Sequence, residues 1–347
     1  MTERQPILSV QNLNVKFSLR GKTLHAIRDV SLDLYEGEAL AIVGESGSGK
    51  SVLTKTFMGL LDANGWIESG AILYNGQDLA SFRTEKQWLA IRGGEIAMVM
   101  QDPMTSLNPL KTIGRQIEEA LRLHQGLKGS AAHAKAVSIL EDVGIAEPER
   151  RSRQYPHEFS GGMRQRVVIA IAIACNPKIL ICDEPTTALD VTIQAQILRL
   201  IRELVKKYRL TTVYITHDLG VVANVADRVA VMYAGDVVEI GTCREVFFDP
   251  RHPYTWALLS SLPQLAEKNT TLSCSGNIGY TKSAGKVKLG TNYTSSAALT
   301  SVKADKTAVT GMDYRPWHYR YVGRDAAAQI RELNLSLEEY IEMFFAS

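Results

Sequence analysis

The chain has 347 residues, of which 45% are hydrophobic and 22% are charged, so it is long enough for one large globular domain or two smaller ones. Its 39 basic and 37 acidic side chains nearly cancel, which argues against the cationic surface of a general nucleic-acid binder, and we expect no nucleic acid as a partner. The longest apolar run, Val167 to Cys175, is far shorter than the about 20 residues of a membrane-spanning helix. The polar N-terminus also lacks the apolar segment of a signal peptide, so we expect a cytoplasmic chain.

The first predicted elements are two strands and a strand–loop–helix unit. Residues 7–17 and 24–34 alternate roughly between apolar and polar types, which predicts an antiparallel β-ribbon around a Gly21-Lys22 turn. A short apolar strand from Glu38 to Val43 leads into a glycine-rich loop and a helix from about Lys50 to Leu60. This order is typical of the beginning of a parallel α/β sheet.

The glycine-rich loop fits the pattern G-x-x-x-x-G-K-[ST] from Gly44 to Ser51. Glycines permit backbone angles closed to other residues, so the loop can aim several N–H groups at phosphate oxygens, and the next helix adds its positive N-terminus. We expect Lys50 to reach the β- and γ-phosphates and Ser51 to offer its hydroxyl to Mg²⁺. A random glycine-rich turn is the alternative, which the position between a strand and a helix disfavours.

Helices and strands alternate further along the chain, except that residues 102–175 are mostly helical. This exception predicts a helical subdomain inserted between two strands of the sheet. Ala234-Gly235 separates two apolar segments and predicts a hairpin. The predicted helices cover residues 112–125, 131–143, 163–175 and 191–207, and the predicted strands cover 179–182, 211–216, 228–233 and 236–240.

Two acids follow the apolar strand at residues 179–182. Because neighbouring side chains on a strand point to opposite faces, we expect Asp183 and Glu184 to take different roles. Asp183 fits a residue that holds Mg²⁺ through its waters, and Glu184 fits a general base that orients the attacking water. A solvated strand end is the alternative.

A Ser-Gly-Gly turn, Ser160-Gly161-Gly162, opens the next strong helix and is a second anion-binding helix start. Together with the glycine loop and the two acids, the segment from Ser160 to Arg166 resembles the signature of the ATP-binding cassette (ABC) family. The resemblance implies an α/β P-loop fold with an antiparallel β subdomain and an inserted helical subdomain. It also implies ATP hydrolysis between two cassettes, where the signature of one contacts the γ-phosphate bound to the other.

The same resemblance implies roles for single residues. Gln101 matches the glutamine that senses Mg²⁺ and touches the transmembrane partner, and the segment from Thr187 to Asp190 resembles the loop that crosses the dimer interface. His217 matches a switch histidine, and Phe17 is expected to stack on adenine, although a lone phenylalanine or histidine is more often structural. Glu184 and His217 are the expected catalytic residues, and Ser51, Gln101 and Asp183 are those expected at Mg²⁺. The residues expected to contact ATP are Phe17, Gly44, Glu45, Ser46, Gly47, Ser48, Gly49, Lys50, Ser51, Val52, Gln101, Ser160, Gly161, Gly162 and Asp190.

Residues 246–263 resemble an extension found in oligopeptide and dipeptide permease ATPases, as do the stretches 101–109 and 155–160. The resemblance implies a peptide importer at the cytoplasmic face of the cell membrane. Its partners would be integral membrane permease subunits, a second and different ABC ATPase and, indirectly, an extracellular solute-binding protein. Because a cassette does not touch the cargo, an importer of another small solute such as nickel is an alternative, and a non-transport ABC ATPase is another.

We predict three segments: a cassette with its extension at 1–265, a low-complexity linker at 266–310 and a separate end at 311–347. The end resembles the C-terminal part of zinc D-alanyl-D-alanine carboxypeptidases. Arg315 stands where those enzymes carry a glutamate, and His318 alone cannot hold catalytic zinc, which needs about three protein ligands, so we expect a non-functional fragment without zinc. Many members of the family that this chain resembles carry four cysteines after the extension that can hold an iron–sulfur cluster, whereas this chain has only Cys274 there, so we expect no such cluster.

Overall fold

The computed structural model describes residues 5–187 and 189–260, together with the short strands at 299–301 and 319–321. The chain divides into two compact units, Met1–Cys243 and Arg244–Ser347. The predicted boundaries at 265 and 310 fall outside the described residues and stay predictions.

The described elements alternate between strands and helices over most of the first unit. The strands are β1 Pro6–Leu19, β2 Lys22–Tyr35, β3 Ala39–Val43, β4 Gly65–Tyr74, β5 Gln77–Asp78, β6 Ile96–Val99, β7 Ile179–Asp183, β8 Thr211–Thr216, β9 Arg228–Tyr233, β10 Asp236–Thr242, β11 Leu299–Ser301 and β12 Tyr319–Tyr321. The helices are α1 Lys50–Thr56, α2 Glu85–Ile91, α3 Pro103–Ser106, α4 Ile113–Gln125, α5 Gly129–Asp142, α6 Pro148–Arg151, α7 Gly161–Ile173, α8 Val191–Tyr208, α9 Leu219–Val225, α10 Cys243–Phe248 and α11 Pro253–Ser260.

An antiparallel sheet with the strand order β2-β1-β4-β5 forms the antiparallel β subdomain. Leu8, Val10, Leu13 and Val15 of β1 are buried, as the apolar alternation of the sequence predicts. Arg20 and Gly21 both have positive φ, which suits a tight hairpin turn between twisted strands. The predicted β-ribbon is therefore confirmed, but the turn is Arg20-Gly21 and not the predicted Gly21-Lys22, because Lys22 already pairs with Leu19.

A second sheet has the order β10-β9-β3-β8-β7-β6. All its neighbouring strands run parallel except the β9–β10 hairpin. Every residue of β7 and β8 is buried, which explains why these strands read as continuous apolar or β-branched runs rather than as alternating ones.

Helices α3 to α7 lie between β6 and β7 in the sequence, although these two strands pair in the sheet. The inserted helical subdomain is thus confirmed. Helix α4 buries Ile113, Ile117 and Leu121, one per turn along a single face, and ends at Gly126 in the left-handed conformation.

Some elements differ from the sequence predictions. Helix α1 ends at Thr56 rather than near Leu60, and strand β4 was not predicted. Gly70 lies within β4 with a φ of 94°, in close approach to Asn12 and Leu13, and the register of β4 with β1 shifts there, which interrupts the alternation of the sequence. No helix described between residues 5 and 260 is both long and apolar enough to cross a bilayer.

Candidate ATP site

The carboxyl ends of four neighbouring parallel strands bring several of the predicted site residues together. These strands lie in the order β3-β8-β7-β6. The glycine loop follows β3, His217 follows β8, the two acids lie at the end of β7, and Gln101 comes shortly after β6. Open α/β sheets bind ligands at this edge. The topology therefore gathers at one place residues that are far apart in the sequence.

The glycine loop has a shape that only glycine allows. Gly44, Gly47 and Gly49 have φ values of 154°, 83° and 104°. An ideal Cβ at Gly44 would lie 2.2 Å from the carbonyl oxygen of Met232, and one at Gly49 would lie 2.9 Å from Cδ1 of Ile27. The loop thus rests against β9 and β2, and no side chain at these three positions keeps a phosphate from the backbone.

Lys50 begins α1 and is only 5% exposed. Its Nζ donates hydrogen bonds to the carbonyl oxygens of Gly44 and Glu45, both at 2.8 Å. Burial lowers the pKa of the ammonium, while the negative charges of Glu184, Asp183 and Glu45 oppose that shift. The lysine is held under the loop by weak neutral acceptors, and the oxygens of a phosphate are stronger acceptors for the same cation.

The next residue, Ser51, is tied to the end of β7. Its Oγ donates a hydrogen bond to Oδ1 of Asp183 at 2.9 Å. Burial raises the pKa of the Asp183 carboxyl, and the charge of Glu184 raises it further, whereas the Ser51 hydrogen bond and the charges of Lys55 and Lys50 lower it. A hydroxyl and a carboxylate side by side are oxygen ligands of the kind that Mg²⁺ accepts.

Glu184 accepts hydrogen bonds from neighbours on three different segments. Nε2 of Gln101 lies 2.8 Å and Oγ1 of Thr187 lies 3.0 Å from its Oε2, and Nδ1 of His217 lies 3.1 Å from its Oε1. The His217 side chain is 60% exposed and the Glu184 side chain 17% exposed. The carboxylate is thus oriented by its neighbours at the edge of an open cleft.

The two acids have different partners, as predicted, but strand alternation is not the reason. Strand β7 ends at Asp183. Glu184 lies beyond it in the left-handed region with a φ of 45°, and its N–H donates to the carbonyl oxygen of Ile215 at 2.9 Å. A turn, and not the pleat of a strand, therefore separates the two carboxylates. A non-glycine residue at positive φ often marks a functional site.

A cleft of about 650 Å³ opens beside the glycine loop. Phe17 lies on its wall and is 9% exposed, and the side chain otherwise belongs to the hydrophobic core. Among the predicted site residues, its lining includes Phe17, Ser46, Gly47, Gly49, Lys50, Ser51, Val52, Gln101 and Glu184. Gly44, Glu45 and Ser48 are not part of the lining, since they form the underside of the loop.

The Ser160 turn is not part of this cleft lining. Ser160 caps α7, and its Oγ accepts from the N–H of Met163 at 3.4 Å, a long hydrogen bond. An ideal Cβ at Gly162 would lie 2.8 Å from Cγ2 of Ile193, and Asp190 caps α8 by accepting from the N–H of Ile193 at 3.1 Å. The Ser160 turn and Asp190 are therefore neighbours, but they lie outside the lining of the cleft.

Sequence reasoning missed several residues that line or support the cleft. Leu24, which pairs with Phe17 in the β1–β2 hairpin, lies on the wall, as do Asp62 and Asn64 before β4. Thr187 was predicted only as part of an interface loop, yet it also holds Glu184. The pairing of β1 with β2 could have pointed to Leu24, and the spacing of three residues from Glu184 could have pointed to Thr187. The roles of Asp62 and Asn64 depend on contacts between distant segments.

The site combines a glycine loop whose backbone is open to phosphate, a buried lysine, a hydroxyl–carboxylate pair and a second, oriented carboxylate. This combination defines a P-loop nucleoside triphosphatase. Comparison with known proteins identifies the family of the chain within this class. The sequence model of the ABC transporter family matches residues 27–187. A model of the C-terminal region of oligopeptide/dipeptide transporters matches residues 238–286.

Curated relatives match over about three quarters of the chain. The chain is 61% identical over 265 residues to the oligopeptide transport ATP-binding protein AmiE of Streptococcus pneumoniae, covering 76% of this chain and 75% of that protein. It is 58% identical to OppD, an oligopeptide transport ATP-binding protein of Bacillus subtilis (75% of this chain, 72% of the relative), and 55% identical to the dipeptide transport ATP-binding protein DppD of the same organism (75% and 78%).

Solved structures show the same fold. The ATP-binding cassette MJ0796, in a dimeric post-hydrolysis state bound to ADP and Pi, superposes with a TM-score of 0.61 and 28% identity, covering 68% of this chain and 99% of that one. The cassette cbiO1 of Clostridium perfringens, part of an ABC transporter complex, gives 0.60 and 30%, covering 70% and 91%. The chain belongs to the ABC transporter family as an ATP-binding, ATP-hydrolysing cassette, so the resemblance and the fold class expected from the sequence are confirmed. The two family models do not reach residues 311–347, and the carboxypeptidase resemblance stays a prediction.

Proposed function

We propose that this chain is the ATPase subunit of an ABC importer for oligopeptides or dipeptides. The observation that supports ATP hydrolysis best is Glu184, whose carboxylate is held by Gln101, Thr187 and His217 next to the phosphate loop. Peptides are proposed as the cargo because curated relatives of 55–61% identity are named as oligopeptide or dipeptide transport proteins. The match of residues 238–286 to the C-terminal region of such transporters supports the same cargo.

The proposed ATP site uses the cleft beside the glycine loop. Phe17 stacks on the adenine, the loop N–H groups of residues 44–49 surround the phosphates, and Lys50 exchanges its carbonyl acceptors for phosphate oxygens. Ser51 and Asp183, with Gln101, would hold Mg²⁺, which neutralises charge on the phosphate oxygens when bound. The described residues contain no group of three or more His, Cys, Asp or Glu that could hold a metal, and Mg²⁺ needs only one or two carboxylates besides the phosphates.

In the proposed reaction Glu184 accepts a proton from the attacking water. The water oxygen forms a bond to the γ-phosphorus while the bond from that phosphorus to the β–γ bridging oxygen breaks, which leaves ADP and inorganic phosphate. Glu184 stays fixed during this step because its neighbours orient the carboxylate. His217 contacts Glu184 through Nδ1 and has an exposed side chain, so it is free to contact the γ-phosphate beside that carboxylate.

A second cassette is proposed to complete the site. The turn formed by Ser160, Gly161 and Gly162 does not line the cleft of its own chain, although its N-terminal helix end suits an anion. In a head-to-tail pair each turn would close the γ-phosphate end of the other cleft, with Asp190 beside it at the interface.

We propose a different ABC ATPase as the mate and integral membrane permease subunits as the other partners. A solute-binding protein outside the cell would supply the cargo, and contact with the permease would place the chain at the cytoplasmic face of the membrane.

Uptake by cells tests the cargo. Cells that lack this chain should lose uptake of a labelled oligopeptide, and the wild-type chain but not Glu184→Gln should restore it. Nickel uptake in the same cells is the second readout. Loss of nickel uptake with intact peptide uptake would support the alternative cargo, and unchanged uptake of both would overturn the proposed importer.

A further inference from the structure

The turn between β9 and β10 contacts two parts of the ATP site that are distant in the sequence. The N–H of Gly235 donates to the carbonyl oxygen of Ser48 in the phosphate loop at 3.0 Å. The carbonyl oxygen of Gly235 accepts from the N–H of Arg28 in β2 at 2.9 Å. One residue therefore joins the phosphate loop to the hairpin that carries Phe17.

The atoms packed around Gly235 leave no room for a side chain. An ideal Cβ at Gly235 would lie 2.6 Å from the carbonyl oxygen of Ala26, and one at Gly49 would lie 3.0 Å from the same oxygen. The Ala26 carbonyl is thus enclosed between the phosphate loop and the β9–β10 turn. Gly235 also has a φ of 93°, so a side chain there meets both a strained backbone and an occupied position.

The turn also lies at the cleft itself. Ala234, which precedes Gly235 and has a φ of 50°, is one of the cleft-lining residues. Arg28 and Ala26 of β2 line the cleft too, and Phe17 lies on β1, which pairs with β2. The distance between the cleft wall that carries Phe17 and the phosphate loop therefore depends on how the β9–β10 turn holds β2 against that loop.

We infer that Gly235 is a positioning residue for nucleotide binding, which sets the spacing between the phosphate loop and the wall that carries Phe17. The inference rests on the proposed ATP site. A ligand that touches both parts requires this spacing, whereas a ligand that touches only the phosphate loop does not. ATP is of the first kind, and inorganic tripolyphosphate is of the second.

The test compares Gly235→Ala with Gly76→Ala. Gly76 has a φ of 80°, and nothing lies within 4 Å of its ideal Cβ, so it matches the backbone strain without the contact. For Gly235→Ala we expect the Kd for ATP to rise about tenfold or more, as for overpacking at a tight contact. The Kd for tripolyphosphate should change by less than about threefold, on the same scale. Gly76→Ala should leave both constants as in the wild type.

Four results are decisive. If Gly235→Ala binds ATP as Gly76→Ala does, or weakens ATP and tripolyphosphate equally, the positioning role is wrong. If the wild-type chain does not bind ATP, the proposed function itself fails, which is a separate outcome. If Gly235→Ala does not fold, hydrogen exchange of the wild-type chain tests the inference instead. ATP should then slow exchange at the N–H groups of Gly235 and Arg28 together with the phosphate loop, and slowing in the loop alone would contradict the inference.

Discussion

At the residue scale, the carboxylate of Glu184 is oriented for catalysis by the protein itself. Its three hydrogen bonds come from Gln101, Thr187 and His217, which belong to three different segments. Its positive φ places it off the strand that holds Asp183. A fixed acceptor of this kind costs less reorganisation in the reaction than a mobile one.

Replacement of Glu184 by glutamine should separate binding from hydrolysis. The amide keeps the size of the side chain but cannot accept the proton of the attacking water, so kcat should fall by about 10²- to 10⁴-fold. The Kd for ATP should stay within about threefold of the wild type. Phosphate release and nucleotide titration measure the two effects. Glu85→Gln, at an exposed ion pair with Arg92, is the charge-matched control, and an equal loss of kcat there would refute the role of Glu184.

Gly65 controls the position of the Phe17 ring. An ideal Cβ at Gly65 would lie 2.5 Å from Cε1 of that ring, and the two residues pair across β1 and β4. Gly65→Ala should push the ring out of place and raise the Kd for ATP by about tenfold. Gly94→Ala is the control because its Cβ would meet its nearest atom, in His124, at an ordinary 3.7 Å. Equal Kd values for the two variants would show that Phe17 has only a structural role.

At the scale of elements, the helical subdomain contains an ionic link between three helices. Nδ1 of His133 on α5 lies 2.8 Å from Glu118 on α4, and its Nε2 lies 3.2 Å from Glu149 on α6. Arg153 donates a further hydrogen bond to Glu149. A neutral imidazole can donate from only one nitrogen, so both contacts are favourable only when His133 is protonated.

The stability of this subdomain should therefore depend on pH. Hydrogen bonds with Glu118 and Glu149 raise the pKa of His133 above its usual value of about 6.5. The contribution is fully present below that value and is lost as the pH rises through the higher folded-state pKa. His133→Gln should lower Tm by about 1–3 °C at pH 6 and by less at pH 9. Thermal unfolding at both pH values measures this difference, and a Tm loss that does not change with pH would contradict it.

Long regular elements and loop motifs could be predicted from the sequence, but contacts between distant segments could not. Helix α8 and strand β8 agree with their predictions within one residue because their patterns are strong and local. Strand β6 has only four residues, too few for a period to be visible. The left-handed conformation of Glu184 and the contact of Gly65 with Phe17 depend on partners that the sequence does not show as neighbours.

At the scale of the whole molecule, the arrangement predicts that one cassette has an incomplete site. The cleft holds the residues for the base, the phosphates and the attacking water, while the turn at Ser160 lies outside its lining. This chain and the different ABC ATPase proposed as its mate would complete two sites, because each would supply its serine–glycine turn to the cleft of the other. ATP would then link the cassettes, and hydrolysis would release them.

Photo-crosslinking with ATP that carries a reactive group on its γ-phosphate tests whether the Ser160 turn contacts the nucleotide of the mate. The importer complex is purified through a tag on this chain, in a variant with Lys50→Ala, which removes the main phosphate contact of this chain's own cleft. We predict that the peptide containing Ser160 is still labelled, because the nucleotide there belongs to the mate. If Lys50→Ala abolishes labelling of the Ser160 peptide together with ATP binding to this chain's own phosphate loop, the Ser160 turn does not contact the nucleotide of a mate.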